Sequence, residues 1–256
     1  NYVDQNHAIR KQMDDRYALP NILTVRGQVA FQNGSDDTAR YHFETAQQIE
    51  CEQAGSSDVI GTLPELGDVA LARGELEAAA RCYEEALRIG KIRPWRWKEM
   101  FAQHGLGLTR HWRGDDAGAR TLFEAALVTA RDMQTPEPIT YAASSLAITA
   151  ARQGDYTTAY AALREALHAS QTLHVDHLRP LTAAAYLAAA EGDDQSAAQI
   201  SGLLITRWRG DRVYRVLLDR LVTALRERMG ASAYQAAADM GAALDPEAVA
   251  TGLVGG

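Results

Sequence analysis

Only two cysteines, Cys51 and Cys82, occur among the 256 residues. They supply neither a disulfide framework nor the paired spacing of a zinc site. Cys82 falls beside Tyr83 in a helical pattern, where a small thiol reads as a core residue. Prolines number seven and phenylalanines four; aromatics are few and fall at repeated positions. No apolar run approaches the ~18 residues of a membrane-spanning helix, and no secretory leader is visible. Positive charge is also scarce. The formal charge is −7 and the isoelectric point about 5.5, whereas broad nucleic-acid binding needs a cationic surface. There is no glycine-rich phosphate loop ending in Lys followed by Ser or Thr, and no helix pair with a basic face suited to reading DNA. The chain starts at Asn1, without methionine, in a segment that already reads as helical, so a fragment of a longer protein is expected.

Glycine, by contrast, recurs on a schedule. Gly34, Gly74, Gly114 and Gly154 are spaced 40 residues apart. Five residues after each comes Ala39, Ala79, Ala119 or Ala159. Nine after comes Phe43, Tyr83, Phe123 or Leu163, and twelve after comes Ala46, Ala86, Ala126 or Ala166. Seven before stands Gly27, Gly67, Gly107 or Ala147. Small and large residues held in register over a fixed period signal stacked helical hairpins. Each repeat reads as helix A, a glycine turn and helix B. The pairs run Asn21 to Gln32 and Asp36 to Gln53; Asp58 to Ala72 and Glu75 to Ile89; Trp95 to Trp112 and Asp115 to Asp132; Glu137 to Arg152 and Tyr156 to Leu173. A degenerate fifth pair runs Asp176 to Ala190 and Asp193 to Trp208, turning at Gly192. The glycines should adopt the left-handed conformation that ends a helix. The acids Asp36, Glu75, Asp115, Asp155 and Asp193 should open the B helices. The paired acids Asp36-Asp37, Asp115-Asp116 and Asp193-Asp194 therefore read as helix starts rather than acid–base catalysts, since they return at equivalent positions. The +9 aromatic is expected to fill the space between one pair and the next.

Beyond the fifth pair the pattern changes. Val213, Leu217, Leu221, Leu225 and Met229 give one amphipathic helix from Asp211 to Met229. A short helix from Ser232 to Met240 should stop at Gly241, and Asp245-Pro246-Glu247 starts another. The expected organisation is helical repeats over 1–208, with 1–18 the end of a preceding helix, and a capping tail over 209–256 that closes the open end of the array.

The small residue at Gly27, Gly67, Gly107 and Ala147, the preceding Leu66, Leu106 and Leu146, the turn glycines and the Ala–aromatic–Ala series resemble tetratricopeptide repeats. The period is 40 rather than the usual 34, and the terminal proline of each repeat is missing. The longer form is similar to the sensor domains of large bacterial regulators. Ala197-Ala198-Gln199-Ile200-Ser201-Gly202-Leu203, the segment from Leu225 to Tyr234, and Gly241 to Val249 resemble the C-terminal end of signal-transduction ATPases linked to LuxR-type DNA-binding modules. The resemblance implies an all-α, right-handed α-solenoid and a cytoplasmic ligand-sensing and protein-interaction domain of a transcriptional regulator, with the ATPase and DNA-binding modules elsewhere. A passive scaffold for docking or self-association, from a kinase- or cyclase-linked protein, stays open beside it. The implied partner is a protein, a peptide or a small-molecule inducer, with a homo-oligomer possible and no direct contact to nucleic acid or membrane. No catalytic residue, metal or cofactor is expected.

In such arrays the A helices line the concave face. Register carries that role to Asn21, Thr24, Gln28 and Phe31, to Asp68, to Phe101, His104, His111 and Trp112, to Tyr141, Ser144 and Arg152, and to Arg179, Thr182 and Tyr186. Together they make an aromatic floor with scattered polar groups, as in a peptide or small-molecule site. Trp95 and Trp97 read either as seam filling or as an exposed anchor, a role in which tryptophan excels; Arg207-Trp208-Arg209 reads as a join to the tail. His168, His174, Asp176 and His177 could together bind zinc, but they span an inter-repeat loop and read as a solvated turn.

Overall fold

The computed structural model describes residues 18–55, 59–92, 95–173, 177–208 and 212–255. Among them are thirteen helices and no strand. The chain divides into two compact units, 1–94 and 95–256.

The first unit holds α1, described over residues 18–32, α2 (Asp36–Ala54), α3 (Leu63–Ala72) and α4 (Leu76–Gly90). The second holds α5 (Arg96–Trp112), α6 (Asp116–Met133), α7 (Pro136–Arg152), α8 (Tyr156–Leu173), α9 (Leu178–Ala190), α10 (Asp194–Arg207), α11 (Arg212–Met229), α12 (Ala231–Ala242) and α13 (Pro246–Gly255). Odd-numbered helices from α1 to α9 are the A helices and even-numbered ones to α10 the B helices. Within the second unit α5 packs on α6, α7 on α8, and α9 on α10 as antiparallel hairpins, while α7 also meets α6 and α9.

The turn glycines do what the period demands. Gly34, Gly74, Gly114, Gly154 and Gly192 have φ of 78°, 76°, 83°, 75° and 87°, a region costly to any residue with a Cβ. Carboxylates cap only some of the following helices. Asp115, Asp155 and Asp193 accept from the backbone N–H of Gly118, Thr158 and Ser196 at 2.9, 3.1 and 3.0 Å. Before α2 the N-cap is Ser35, and neither it nor Glu75 before α4 makes a side-chain cap bond. Glu75 instead faces two guanidinium groups, Arg40 at 2.8 Å and Arg73 at 2.7 Å.

That Arg40 pairing is itself periodic. Six residues after Gly34, Gly114 and Gly154, a B-helix side chain reaches the next turn: Arg40 to Glu75, Arg120 to Asp155 at 2.8 Å, and Tyr160 to Glu191 at 2.8 Å. The equivalent residue of α4 is Ala80, which has no group for such a bond. These are surface interactions worth roughly 0–1 kcal/mol each; they set register more than they add stability.

The small residue at −7 and the large residue at +9 form one contact. A Cβ built on Gly27, Gly67 or Gly107 would lie 2.5, 2.5 or 2.6 Å from the ring of Phe43, Tyr83 or Phe123. The aromatic ring therefore lies over the glycine of its own hairpin, where it had been expected between hairpins; Phe43 additionally packs with Val69 of the next pair. In the fourth repeat the ring gives way to Leu163 and the glycine to Ala147, both buried. A leucine side chain does not extend as far as a phenyl ring, so a methyl group on residue 147 is accommodated there.

The tail forms part of the second unit. Helix α12 lies on α10 with its backbone almost touching. A Cβ on Gly202 would fall 2.0 Å from the carbonyl oxygen of Ala238, and one on Gly241 1.8 Å from that of Gln199. Gly241 had been expected to stop the helix. It lies inside α12 instead, because a missing Cβ there serves close approach rather than termination. Helix α13 packs against α8 and α9.

Candidate functional site

Helix α11 carries Val213, Tyr214, Leu217, Leu218, Leu221, Val222 and Leu225, all buried. That amphipathic stripe requires a partner surface. Its contacts place α11 across the A-helix face of the second unit. Tyr214 reaches α7, the α9 residue Tyr186 donates its hydroxyl to the Leu217 carbonyl at 2.8 Å, and Arg220 sits 4.7 Å from the Trp112 ring of α5. The expected role of this segment was to close the end of the array. Helix α12 packs at that position on α10, while α11 lies along the face.

Under the first turn of α11 a buried polar chain runs between four residues. His104 Nε2 lies 2.9 Å from Ser145 Oγ, Ser145 Oγ 2.5 Å from the Tyr214 hydroxyl, and that hydroxyl 3.3 Å from the Tyr141 carbonyl. One proton arrangement satisfies all three contacts. His104 Nε2–H donates to Ser145, Ser145 donates to Tyr214, and Tyr214 donates to the carbonyl, so His104 carries its proton on Nε2. Tyr214 stacks parallel to His104, with centroids 6.2 Å apart and planes 4° apart, and His104 meets Tyr141 edge-on. Arg179 donates to the Tyr141 hydroxyl and sets its guanidinium carbon 3.5 Å from that ring's centroid. A serine within reach of a histidine is also the pairing of a nucleophile with its base. Here Ser145 is only 1 % exposed and Tyr214 closes over it, so no substrate reaches it in this conformation.

At the other end of the face a cleft of about 260 Å³ opens between the C-terminal turns of α5, α7 and α9 and the stretch of α11 from Leu217 to Arg228. His111, Arg152, Tyr186, Arg220 and Arg228 provide its polar groups; Ala189, Ala190, Leu217, Leu221 and Ala224 make its floor. Asp116 anchors one wall: its carboxylate lies 2.8 Å from His111 Nδ1 and 3.2 Å from Arg152. Burial pushes this carboxyl up, yet His111 and Arg152 together hold it below its ordinary value. Arg228 pairs with Asp194 at 2.6 Å. Among the described residues no carboxylate pairs with Arg220; the Trp112 ring lies 4.7 Å from it. Burial raises the Tyr186 hydroxyl to about 12, with Arg152 and Arg220 pulling the other way.

The groove residues read from register thus fall into groups. Phe101, His104, Tyr141 and Arg179 form the aromatic cluster beneath Tyr214. His111, Arg152 and Tyr186 line the cleft, and Trp112 underlies Arg220. Ser144 and Thr182 are fully buried, with Thr182 donating to the Leu178 carbonyl at 2.7 Å; neither faces an open groove. In the first unit Asn21 and Gln28 are exposed. Thr24 donates to the Pro20 carbonyl, Phe31 packs on the core of Ala39, Phe43 and Val69, and Asp68 accepts from the Tyr83 hydroxyl at 2.6 Å. Trp95 is exposed, with Lys98 5.8 Å from its ring, and Trp97 rests on Phe101. His174, Asp176 and Arg209 lie outside the described residues; His177 bonds Ser170 at 2.9 Å. Among the described residues no group of three His, Cys, Asp or Glu is placed to hold a metal, and no helix is long and apolar enough to cross a membrane.

Register did not mark Ser145, Tyr214, Leu217, Arg220 or Arg228. The helical period of α11 was visible, but periodicity gives a helix its apolar face without naming what that face covers. No protein-family model and no curated protein sequence matches this chain.

Proposed function

We propose that the chain is a ligand-sensing and protein-interaction domain of a bacterial transcriptional regulator, built from tetratricopeptide-like hairpins, in which α11 acts as a built-in occupant of the A-helix face. The supporting observation is the way α11 is held. An amphipathic helix laid by its apolar stripe into a helical groove is a common mode of partner recognition, and here the same chain supplies both groove and helix. A regulator needs two states that a ligand or partner binds unequally. With α11 seated, the polar chain from His104 to Tyr141 is complete; with α11 lifted, Tyr141, Arg179 and Tyr186 become a recognition surface for another helix.

The test loosens α11 without removing it. In a Tyr214→Phe, Leu217→Ala double variant, a fluorescent peptide of residues 212–229 should bind in trans, while the unaltered chain should not bind it. A folded double variant, by circular dichroism, that ignores the peptide would overturn the reading.

A second reading, a docking or self-association scaffold, draws on a different feature. Ile22, Val25 and Val29 form an exposed stripe on α1, 48, 57 and 52 % accessible. Sedimentation equilibrium of an Ile22→Glu, Val29→Glu variant separates the two. Loss of self-association supports the scaffold; an unchanged monomer leaves the stripe without that role.

A further inference from the structure

We infer that the cleft between α11 and the ends of α5, α7 and α9 is a binding site for a small organic anion, with its carboxylate or phosphate on Arg220 and Arg228 and its apolar body over Ala189, Ala190, Leu221 and Ala224. The inference names a ligand class for the sensing domain and rests on that reading for its regulatory meaning.

Three arginines converge on one cleft in a chain whose formal charge is −7. Two have structural explanations. Arg152 completes the pair with Asp116 and lies at the C-terminal end of α7, where a cation complements the helix dipole. Arg228 faces Asp194. Arg220 has neither. It stands in the middle of α11, away from a helix end, and among the described residues no carboxylate neutralises it. The Trp112 ring, 4.7 Å away, fixes the guanidinium by cation–π attraction. A ring accepts no conventional hydrogen bond from the guanidinium, and with no carboxylate among the described residues to engage them, its N–H donors suit a bidentate oxyanion. The C-terminal ends of α5, α7 and α9 by themselves repel an anion, so its site belongs against Arg220 in the middle of α11, with Arg228 of the last turn beside it.

Size narrows the class. About 260 Å³ falls just under the range of roughly 300–1,000 Å³ typical of ligand pockets. It suits a metabolite the size of a substituted benzoate or a phenyl phosphate. Ala189, Ala190, Leu221 and Ala224 give the cleft an apolar part beside its charged groups, which a bare inorganic ion would leave unused. Because the ligand would touch both α9 and α11, it would hold α11 in place on the A-helix face.

The test uses the full chain and four probes: phenyl phosphate, benzoate, inorganic phosphate and neutral benzyl alcohol, titrated by calorimetry. Phenyl phosphate or benzoate should bind saturably with 1:1 stoichiometry, and the tighter of the two tells a phosphate ester from a carboxylate. Inorganic phosphate and benzyl alcohol should each bind at least tenfold more weakly. Arg220→Gln, an exposed change whose fold is checked by circular dichroism and thermal melting, should weaken the preferred probe at least tenfold, and Arg164→Gln on α8 should leave it unchanged; Arg220→Lys, which keeps the charge over Trp112 but not the bidentate fork, should also weaken it. Absence of saturable binding by either organic anion, benzyl alcohol binding as well as the anions, or full affinity in Arg220→Gln would each overturn the assignment. The peptide experiment reads a different event, so an anion site without helix capture, or the reverse, is told apart from failure of both.

Discussion

The Tyr214 hydroxyl and Ser145 Oγ lie 2.5 Å apart although 69 residues separate them in the chain. Through this contact α11 completes a polar chain that begins at His104 on α5 and crosses α7. Ser145 depends on it: without the Tyr214 hydroxyl its buried Oγ loses an acceptor, while the Tyr141 carbonyl, inside α7, keeps its backbone donor.

Tyr214→Phe is accordingly expected to destabilise the second unit by about 1–3 kcal/mol, the cost of leaving buried polar groups unmatched. Hydrogen exchange should quicken first in α11. Urea unfolding with peptide-resolved exchange checks both; an unchanged midpoint would remove the polar chain from the forces that seat the helix.

The glycine–aromatic contact predicts a rescue. Gly107→Ala places a Cβ 2.6 Å from the Phe123 ring, and overpacking of this kind costs about 1–3 kcal/mol. Adding Phe123→Leu recreates the Ala147–Leu163 combination of the next repeat and should recover part of that loss. A double-mutant cycle with purely additive effects would show that the two residues do not share one space.

At Gly114 the strain lies in the backbone. Its φ of 83° is positive, and nothing lies within 4 Å of a built Cβ. Gly114→Ala should lower stability by roughly 1–2 kcal/mol through conformation alone, and Gly114→Asn by less, since asparagine tolerates this region. Thermal melts of the two variants provide the comparison.

Gly241→Ala meets a different obstacle. The new methyl would press on the Gln199 carbonyl, and backbone cannot move aside as a side chain can. Helix α12 should then detach from α10. Protease cleavage between α11 and α12 should rise sharply, whereas Ala236→Gly, at an exposed position of the same helix, should not have this effect.

Asp155 carries a pH signature. The Thr158 hydroxyl, the Thr158 backbone N–H and Arg120 lower its carboxyl to about 2. A carboxyl depressed in the folded state stabilises above its unfolded value, about 3.9, and that contribution is lost as pH falls toward 2. Asp155→Asn should therefore narrow its stability gap to the unaltered chain between about pH 4 and 2. A gap that stays constant through that window would show that the carboxylate's charge is not what Thr158 and Arg120 recognise.

Much of this architecture was legible before any coordinates. The 40-residue period located the corners because only glycine takes their left-handed φ cheaply, and it paired A with B helices because Gly27, Gly67 and Gly107 leave room for a ring. Helix starts were placed to within a few residues; α3 begins at Leu63 rather than Asp58 because Gly61 turns the chain at φ 45° and Pro64 favours a first-turn position. Gly241 misled because an absent side chain serves termination and close packing alike, and a sequence does not distinguish them.

The candidate site divides along the same line. Local sequence determined which residues each A helix turns to one side, since helical geometry alone puts Tyr141, Ser144 and Arg152, or Arg179, Thr182 and Tyr186, on a common face. Only the tertiary structure decided what meets that face. An apolar stripe is attracted to any apolar surface without direction or label, so the choice of the A-helix face for α11 came from contacts that exist only once the chain has folded: a hydroxyl at Tyr214 that reaches Ser145, a carbonyl at Leu217 that accepts from Tyr186, and a ring at Trp112 that receives Arg220.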